Sequence, residues 1–173
     1  GIRRAVRAGV RSIEHGSYLD DEGIALMRRH GTYLVADVYN GDYIDEIGRR
    51  DGWPEEILRK NQETTDIQRQ AFRRAVRAGV NIAFGTDSGV YPHGENARQF
   101  AYMVRYGMSP MQAIQSATIN SARLLGREGE VGSLQPGRRA DLIAVAGDPL
   151  ADIGLLHTAI VAVMKDGALV RRP

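Results

Sequence analysis

The chain has no cysteine, no long apolar run, no excess of charge of one sign and no initiator methionine, and each absence narrows what it can be. Without cysteine there is neither a disulfide framework nor a thiolate zinc site, so any metal must be held by His, Asp, Glu or a modified Lys. No apolar stretch approaches the roughly 20 residues that span a bilayer, which argues against membrane insertion. The 23 basic and 21 acidic residues nearly cancel, to a formal charge of +2. Acidic residues also interrupt the arginines, so no basic block stands alone and nucleic-acid binding is not expected. At the N-terminus Gly1-Ile2-Arg3-Arg4 runs straight into a helix-like segment with no signal-peptide pattern, so the chain reads as beginning in mid-fold. A cytoplasmic setting is expected, with an upstream signal sequence left open.

What is present is the composition of a soluble globular protein, 43% hydrophobic and 25% charged over 173 residues. That length suits one ordinary domain with a real core but is short for a complete α/β barrel of about 250 residues. An internal repeat organises the first part: the octet Arg3-Arg4-Ala5-Val6-Arg7-Ala8-Gly9-Val10 recurs as Arg73-Arg74-Ala75-Val76-Arg77-Ala78-Gly79-Val80. Each octet has apolar residues at helical spacing, a Gly suited to a left-handed helix end, and then a short apolar strand. The strands expected are 10–14, leading into His15-Gly16, and 80–85, leading into Thr86-Asp87-Ser88-Gly89. Between them a helix over 20–30 closes on Gly31 and precedes a strand over 32–38; a long polar excursion and a helix over 54–78 follow. Alternating strands and helices predict parallel βαβ units, whose chemistry gathers at the C-terminal ends of the strands.

Beyond Asp87 the pattern predicts helices over 95–106 and 110–118, the second opened by Ser109-Pro110, and a turn over 120–125. From Arg127 short strands take over, at 140–145, 160–165 and 168–171, with Asp166-Gly167 as a hairpin signal. A domain boundary is expected between Gly126 and Gly137, separating residues 1–126 from 127–173.

Four histidines can be weighed. His15 ends a strand beside a turn-forming Gly, as a ligand or as a polar strand cap. His93 lies in the loop after Asp87, as a ligand, a substrate contact or an exposed residue. His30 suits a helix C-terminus, where its charge favours the dipole, and His157 reads as surface. Asp87 places a carboxylate at the end of a buried strand, where an unpaired charge is costly; a metal, His15 or a backbone nest at Ser88-Gly89 could compensate it. Tyr39, Asn40, Asp42 and Tyr43 follow the middle strand toward the same mouth. The arginine pairs at 28–29, 49–50 and 73–74 read as solvated helix faces.

The segments Ser12-Ile13-Glu14-His15-Gly16, Ala83-Phe84-Gly85-Thr86-Asp87-Ser88-Gly89 and Pro92-His93-Gly94-Glu95-Asn96 stand in a telling order. Met108 to Ile114, Ala117 to Ala122, Gly132 to Gly137, Ala140 to Ile143 and Gly147-Asp148-Pro149-Leu150 complete the series. Together they resemble the amidohydrolase superfamily, in its imidazolonepropionase-like and metal-dependent prolidase branch. The resemblance implies the C-terminal part of a (β/α)8 TIM-type barrel, about strands six to eight, with the C-terminal strands of a small β-sandwich. It implies His15 as a metal ligand on the sixth strand and Asp87 as metal ligand and catalytic proton carrier on the eighth. One or two Zn²⁺ ions are implied in the intact enzyme, with a dipeptide or other small amide as substrate and Tyr39 and His93 as contacts to its carboxylate end. The family's remaining ligands would lie upstream of Gly1, so activity is expected to need a missing N-terminal portion or a neighbouring subunit in an oligomer. An inert, partner-binding remnant stays open as an alternative, as does a phosphate-binding barrel enzyme using Gly85 to Gly89.

Overall fold

The computed structural model describes residues 1–171. Two three-stranded sheets organise them. The first is parallel, ordered β1 (Ser12–Glu14), β2 (Tyr33–Ala36), β3 (Asn81–Phe84); the second is antiparallel, ordered β4 (Leu142–Val145), β5 (Ile160–Lys165), β6 (Ala168–Arg171). Around the parallel sheet lie α1 (Ile2–Arg7), α2 (Asp21–His30), α3 (Asn40–Arg50), α4 (Glu55–Ala78) and α5 (Arg98–Arg105). Then come α6 (Pro110–Gln115), a π turn at Ser116–Asn120, α7 (Ser121–Leu124) and, before β5, α8 (Leu155–Thr158). Both octets are helix-to-strand transitions, with Gly9 and Gly79 at φ of 87° and 74°, a region open to Gly at no steric cost.

Local chemistry sets the helix ends. Asp20 caps α2 by accepting from the Gly23 N–H at 2.8 Å, Asp21 and Glu22 sit in its first turn, and Arg28, Arg29 and His30 in its last, all complementing the dipole. Asp20→Ala is expected to cost about 1 kcal/mol of stability, read as a shift in urea midpoint. Ser109 and Gln112 form a reciprocal capping box at α6, with Pro110 opening the helix.

The polar excursion after β2 is a helix, α3, rather than a loop. Its two glycines let it lie close on α4: a Cβ at Gly41 would come within 2.3 Å of Thr65 Oγ1, and one at Gly48 within 2.8 Å of Leu58. Packing against a neighbour thus overrides the low helix propensity of Gly and Asp.

The core lies where α1, α2, α4 and α5 meet one side of the parallel sheet. Val6, Met27, Leu34, Ala36, Phe72, Ile82 and Met103 are all nearly inaccessible, and each large apolar side chain so buried contributes roughly 1.5–3 kcal/mol. Strand alternation sends Leu34 and Ala36 into this core, which leaves Val35 and Asp37 for the other side. The outer edge of β3 is partly covered by the π turn and α7: Asn120 Nδ2 donates to Ile82 O, and Ser121 Oγ accepts from Phe84 N. The antiparallel sheet keeps much apolar surface open, including Ile143 and Val170. Asp166-Gly167 makes the expected hairpin, both residues at positive φ.

Candidate active site

The carboxyl ends of β1, β2 and β3 open onto a cleft of about 180 Å³ lined by Glu14, His15, Val35, Asp37, Gly85, Thr86 and Asp87. Val35 and Asp37, and likewise Gly85 and Asp87, lie two residues apart, as alternation along a strand requires. Glu14 and His15 are consecutive, as are Thr86 and Asp87, and all four line the cleft. An extended strand cannot do that. His15 and Asp87 have φ of 61° and 52°, the left-handed region, so the backbone turns at both strand ends and consecutive side chains reach the cleft. Non-glycine residues held there cost of order 1–3 kcal/mol and cluster at functional sites. Gly85 keeps the cleft floor close-packed, since a Cβ there would meet Val35 Cγ1 at 2.3 Å.

His15 Nδ1 lies 3.0 Å from Asp37 Oδ1, which also accepts from Gln68 Nε2 at 2.6 Å. Asn40 Nδ2 reaches Asp37 Oδ2 at 3.1 Å and Asp87 Oδ2 at 3.3 Å, tying the two carboxylates to one amide. His15 is half exposed and Asp37 buried. Burial lowers the His15 pKa, but the hydrogen bond and charge of Asp37, with the Asp87 and Glu14 carboxylates, outweigh it and hold the imidazole above its ordinary value. The site is thus a concentration of negative potential that favours a positive charge, and it disfavours a phosphate.

Two further side chains hold the strand ends. Gln99, fully buried on α5, donates from Nε2 to the carbonyls of Ala36 and Gly85 and accepts the Tyr39 N–H at 3.0 Å. It joins β2 and β3 just past their last paired residues, Ala36 and Phe84. Arg69, buried on α4, donates to Val38 O and Asp42 Oδ1 and lies over the rings of Tyr102 and Tyr106. Burial, followed by the Asp42 carboxylate, pushes the Tyr102 phenol up.

One ring nitrogen of His15 and one oxygen each of Asp37 and Asp87 all lie within 4.8 Å of one another, close enough to serve a single cation. A His and carboxylate oxygens are a donor set suited to zinc and other divalent ions. Asn40 Oδ1, in the same cluster, is buried without a hydrogen-bond partner among the described residues. The residues present therefore fit a metal.

The profile of the amidohydrolase family matches residues 1–170. The chain belongs to the amidohydrolase family. Ochratoxinase of Aspergillus niger is 36% identical over 177 residues, an alignment that takes in all of this chain and 36% of that protein. A Xaa-Pro dipeptidase with methionine bound in its active site has the same fold at a TM-score of 0.91 and 45% identity, over 98% of this chain and 42% of that one. A prolidase complexed with N-methylphosphonate-L-proline superposes at 0.86 and 31% identity, over 99% and 43%. The chain thus spans well under half the length of these relatives.

Of the residues expected from sequence, His15 and Asp87 meet in the cleft, and Asn40 bridges its carboxylates. Tyr39 is buried behind it, its ring 5.0 Å from that of Tyr91 and 5.1 Å from that of Tyr102. Burial raises its pKa, and the Arg98 guanidinium beside it opposes the shift. His93 is exposed on a 3₁₀ turn and does not line the cleft. His157, read as surface, lies partly buried, 3.4 Å from Glu95 Oε2. Sequence reading passed over Asp37, Gln68 and Gln99. Asp37 carried the same signal as Asp87, an acid closing an apolar strand. Gln68 and Gln99 sit four residues before Phe72 and Met103 on the buried stripes of α4 and α5, polar residues where helical spacing calls for apolar ones.

Proposed function

We propose that the protein carrying this chain is a metal-dependent amidohydrolase that cleaves a dipeptide, of Xaa-Pro type or with Arg or Lys as its second residue, by activating water. The observation that carries this reading is the convergence of His15, Asp37 and Asp87 at the ends of three neighbouring parallel strands. In this reading residues 1–126 form about strands six to eight of a (β/α)8 barrel, and 127–173 the C-terminal part of a β-sandwich. His15 and Asp87 hold Zn²⁺ together with ligands from outside this chain, since relatives more than twice as long share the fold. When bound, Zn²⁺ lowers the pKa of water and polarises the amide carbonyl.

The chain's own residues do the rest. Asp87 accepts a proton from the attacking water through a carboxylate oxygen as the new C–O bond forms. It then returns that proton to the amine nitrogen as the C–N bond breaks. Asn40 keeps the Asp87 carboxylate aimed while its proton is away. Beyond the cleft lining, the exposed His93 and the Arg98 guanidinium, which sits beside the buried Tyr39 ring, would meet the peptide's carboxylate end.

The test is metal analysis of the intact protein with a dipeptide panel before and after chelation. Stoichiometric zinc is expected. Chelation should lower turnover of the preferred dipeptide by at least about 100-fold, the several kcal/mol that a Lewis acid supplies, and added Zn²⁺ should restore it. Full activity in a metal-free enzyme would end this reading.

A further inference from the structure

We infer that Asp37 is a positioning residue that stands behind the metal ligands: its carboxylate holds His15 Nδ1, so that Nε2 is the nitrogen offered to a cation in the cleft. The inference rests on the proposed function and adds an assignment to it. Geometry alone would admit Asp37 as a third ligand, because its oxygen falls within the same 4.8 Å as those of His15 and Asp87. Three observations place it behind them.

First, three of the roughly four acceptor sites of Asp37 are already taken. Oδ1 accepts from Gln68 Nε2 at 2.6 Å and faces His15 Nδ1 at 3.0 Å, while Oδ2 accepts from Asn40 Nδ2 at 3.1 Å. Nδ1 faces an oxygen that already accepts from Gln68, so it is placed to donate, which leaves the lone pair of the neutral ring on Nε2. A cation bound through Oδ1 would displace one of its two hydrogen bonds, and an orphaned amide donor costs about 1–3 kcal/mol.

Second, exposure divides the three. The Asp37 side chain is 10% exposed and that of His15 52%, and Asp87 is exposed as well. The two more exposed residues are also the two on left-handed backbone, whereas Asp37 is not. Third, the donors that hold Asp37 also hold the ligands. Gln68 Nε2 lies 3.4 Å from the carbonyl of His15, at the strained turn, and Asn40 Nδ2 spans to Asp87 Oδ2. A carboxylate that fixes the tautomer and ring plane of a ligating histidine makes that ligand more basic, and removing such a partner typically weakens metal binding 10- to 100-fold.

The experiment uses the intact protein, with Co²⁺ as the metal and a chromogenic chelator as competitor. Asp37→Asn should weaken Co²⁺ binding by about 10- to 100-fold while the visible absorption bands keep their positions, because the ligand set is unchanged. His15→Ala should move those bands. Asp37→Asn bands that move as they do for His15→Ala would make Asp37 a ligand and overturn the inference; so would an affinity within twofold of wild type. Gln68→Met provides a second test that leaves Asp37 in place, with several-fold weaker binding expected and unchanged affinity counting against the network. A metal-free readout separates this inference from the functional reading. Long-range ¹H–¹⁵N correlations at alkaline pH should show His15 protonated on Nδ1 in the wild type and shifted toward the other tautomer in Asp37→Asn. A wild-type protein without Co²⁺ affinity sinks the proposed function; a wild-type His15 protonated on Nε2 sinks the assignment of Asp37.

Discussion

With the function proposed above, Asp87→Asn in the intact protein is expected to lower kcat for dipeptide hydrolysis by about 10²- to 10⁴-fold, the usual contribution of a positioned proton carrier. The substitution is chosen for what it keeps. Asp87 sits at φ of 52°, and Asn shares with Asp an unusual tolerance of the left-handed region, so the turn that aims the side chain should survive. An amide oxygen can still accept from Asn40 Nδ2, as Asp87 Oδ2 does. What disappears is the negative charge and the ability to take a proton from water. Because Asp87 is exposed and outside the apolar core, the unfolding midpoint should stay close to wild type. KM should change far less than kcat, since the lost interaction acts on the reacting atoms. Turnover within a few-fold of wild type would remove Asp87 from the mechanism.

How far the sequence carries this site can be judged residue by residue. The repeated octets, the Gly at each helix end and the Asp20 and Ser109 caps are local signals, and local signals do not depend on the rest of the chain. They located the strands within about two residues, and with them the strand ends where His15 and Asp87 lie. The helix Asn40–Arg50 was not legible, because Gly41, Asp42 and Gly48 read as a loop until α4 is there to accept the close approach of both glycines. Asp37 was missed for a different reason. With the strand drawn to Val38, Asp37 became an interior position, although the two-residue step from Val35 already assigned it to the cleft side. The left-handed turns at His15 and Asp87 have no signature in composition, since both residue types are common elsewhere on ordinary backbone.

Gln99 shows the limit most sharply, and it carries the largest stability effect expected. Its single amide satisfies three main-chain groups at the splayed ends of β2 and β3: the carbonyls of Ala36 and Gly85 and the N–H of Tyr39. All lie where the parallel ladder has ended at Ala36 and Phe84, so no strand neighbour can replace the amide. Gln99→Leu, close in volume, should leave these groups unpartnered around a fully buried position. At about 1–3 kcal/mol for each orphaned group, and allowing for non-additivity, the loss should be about 3–6 kcal/mol in urea unfolding. Gln99→Glu separates hydrogen bonding from volume. A carboxylate can still accept from Tyr39 but cannot donate to two carbonyls, so it should be at least as damaging despite its near-identical shape. The consequence reaches the cleft, because Ala36 and Gly85 immediately precede Asp37 and the Thr86-Asp87 turn. Strands free to separate there would let the Asn40 bridge between the two carboxylates open, and whatever variant protein remains folded should bind metal more weakly. A Gln99→Leu protein within 1 kcal/mol of wild type would mean that water or relaxed backbone satisfies those groups, and that Gln99 is not what spaces Asp37 from Asp87.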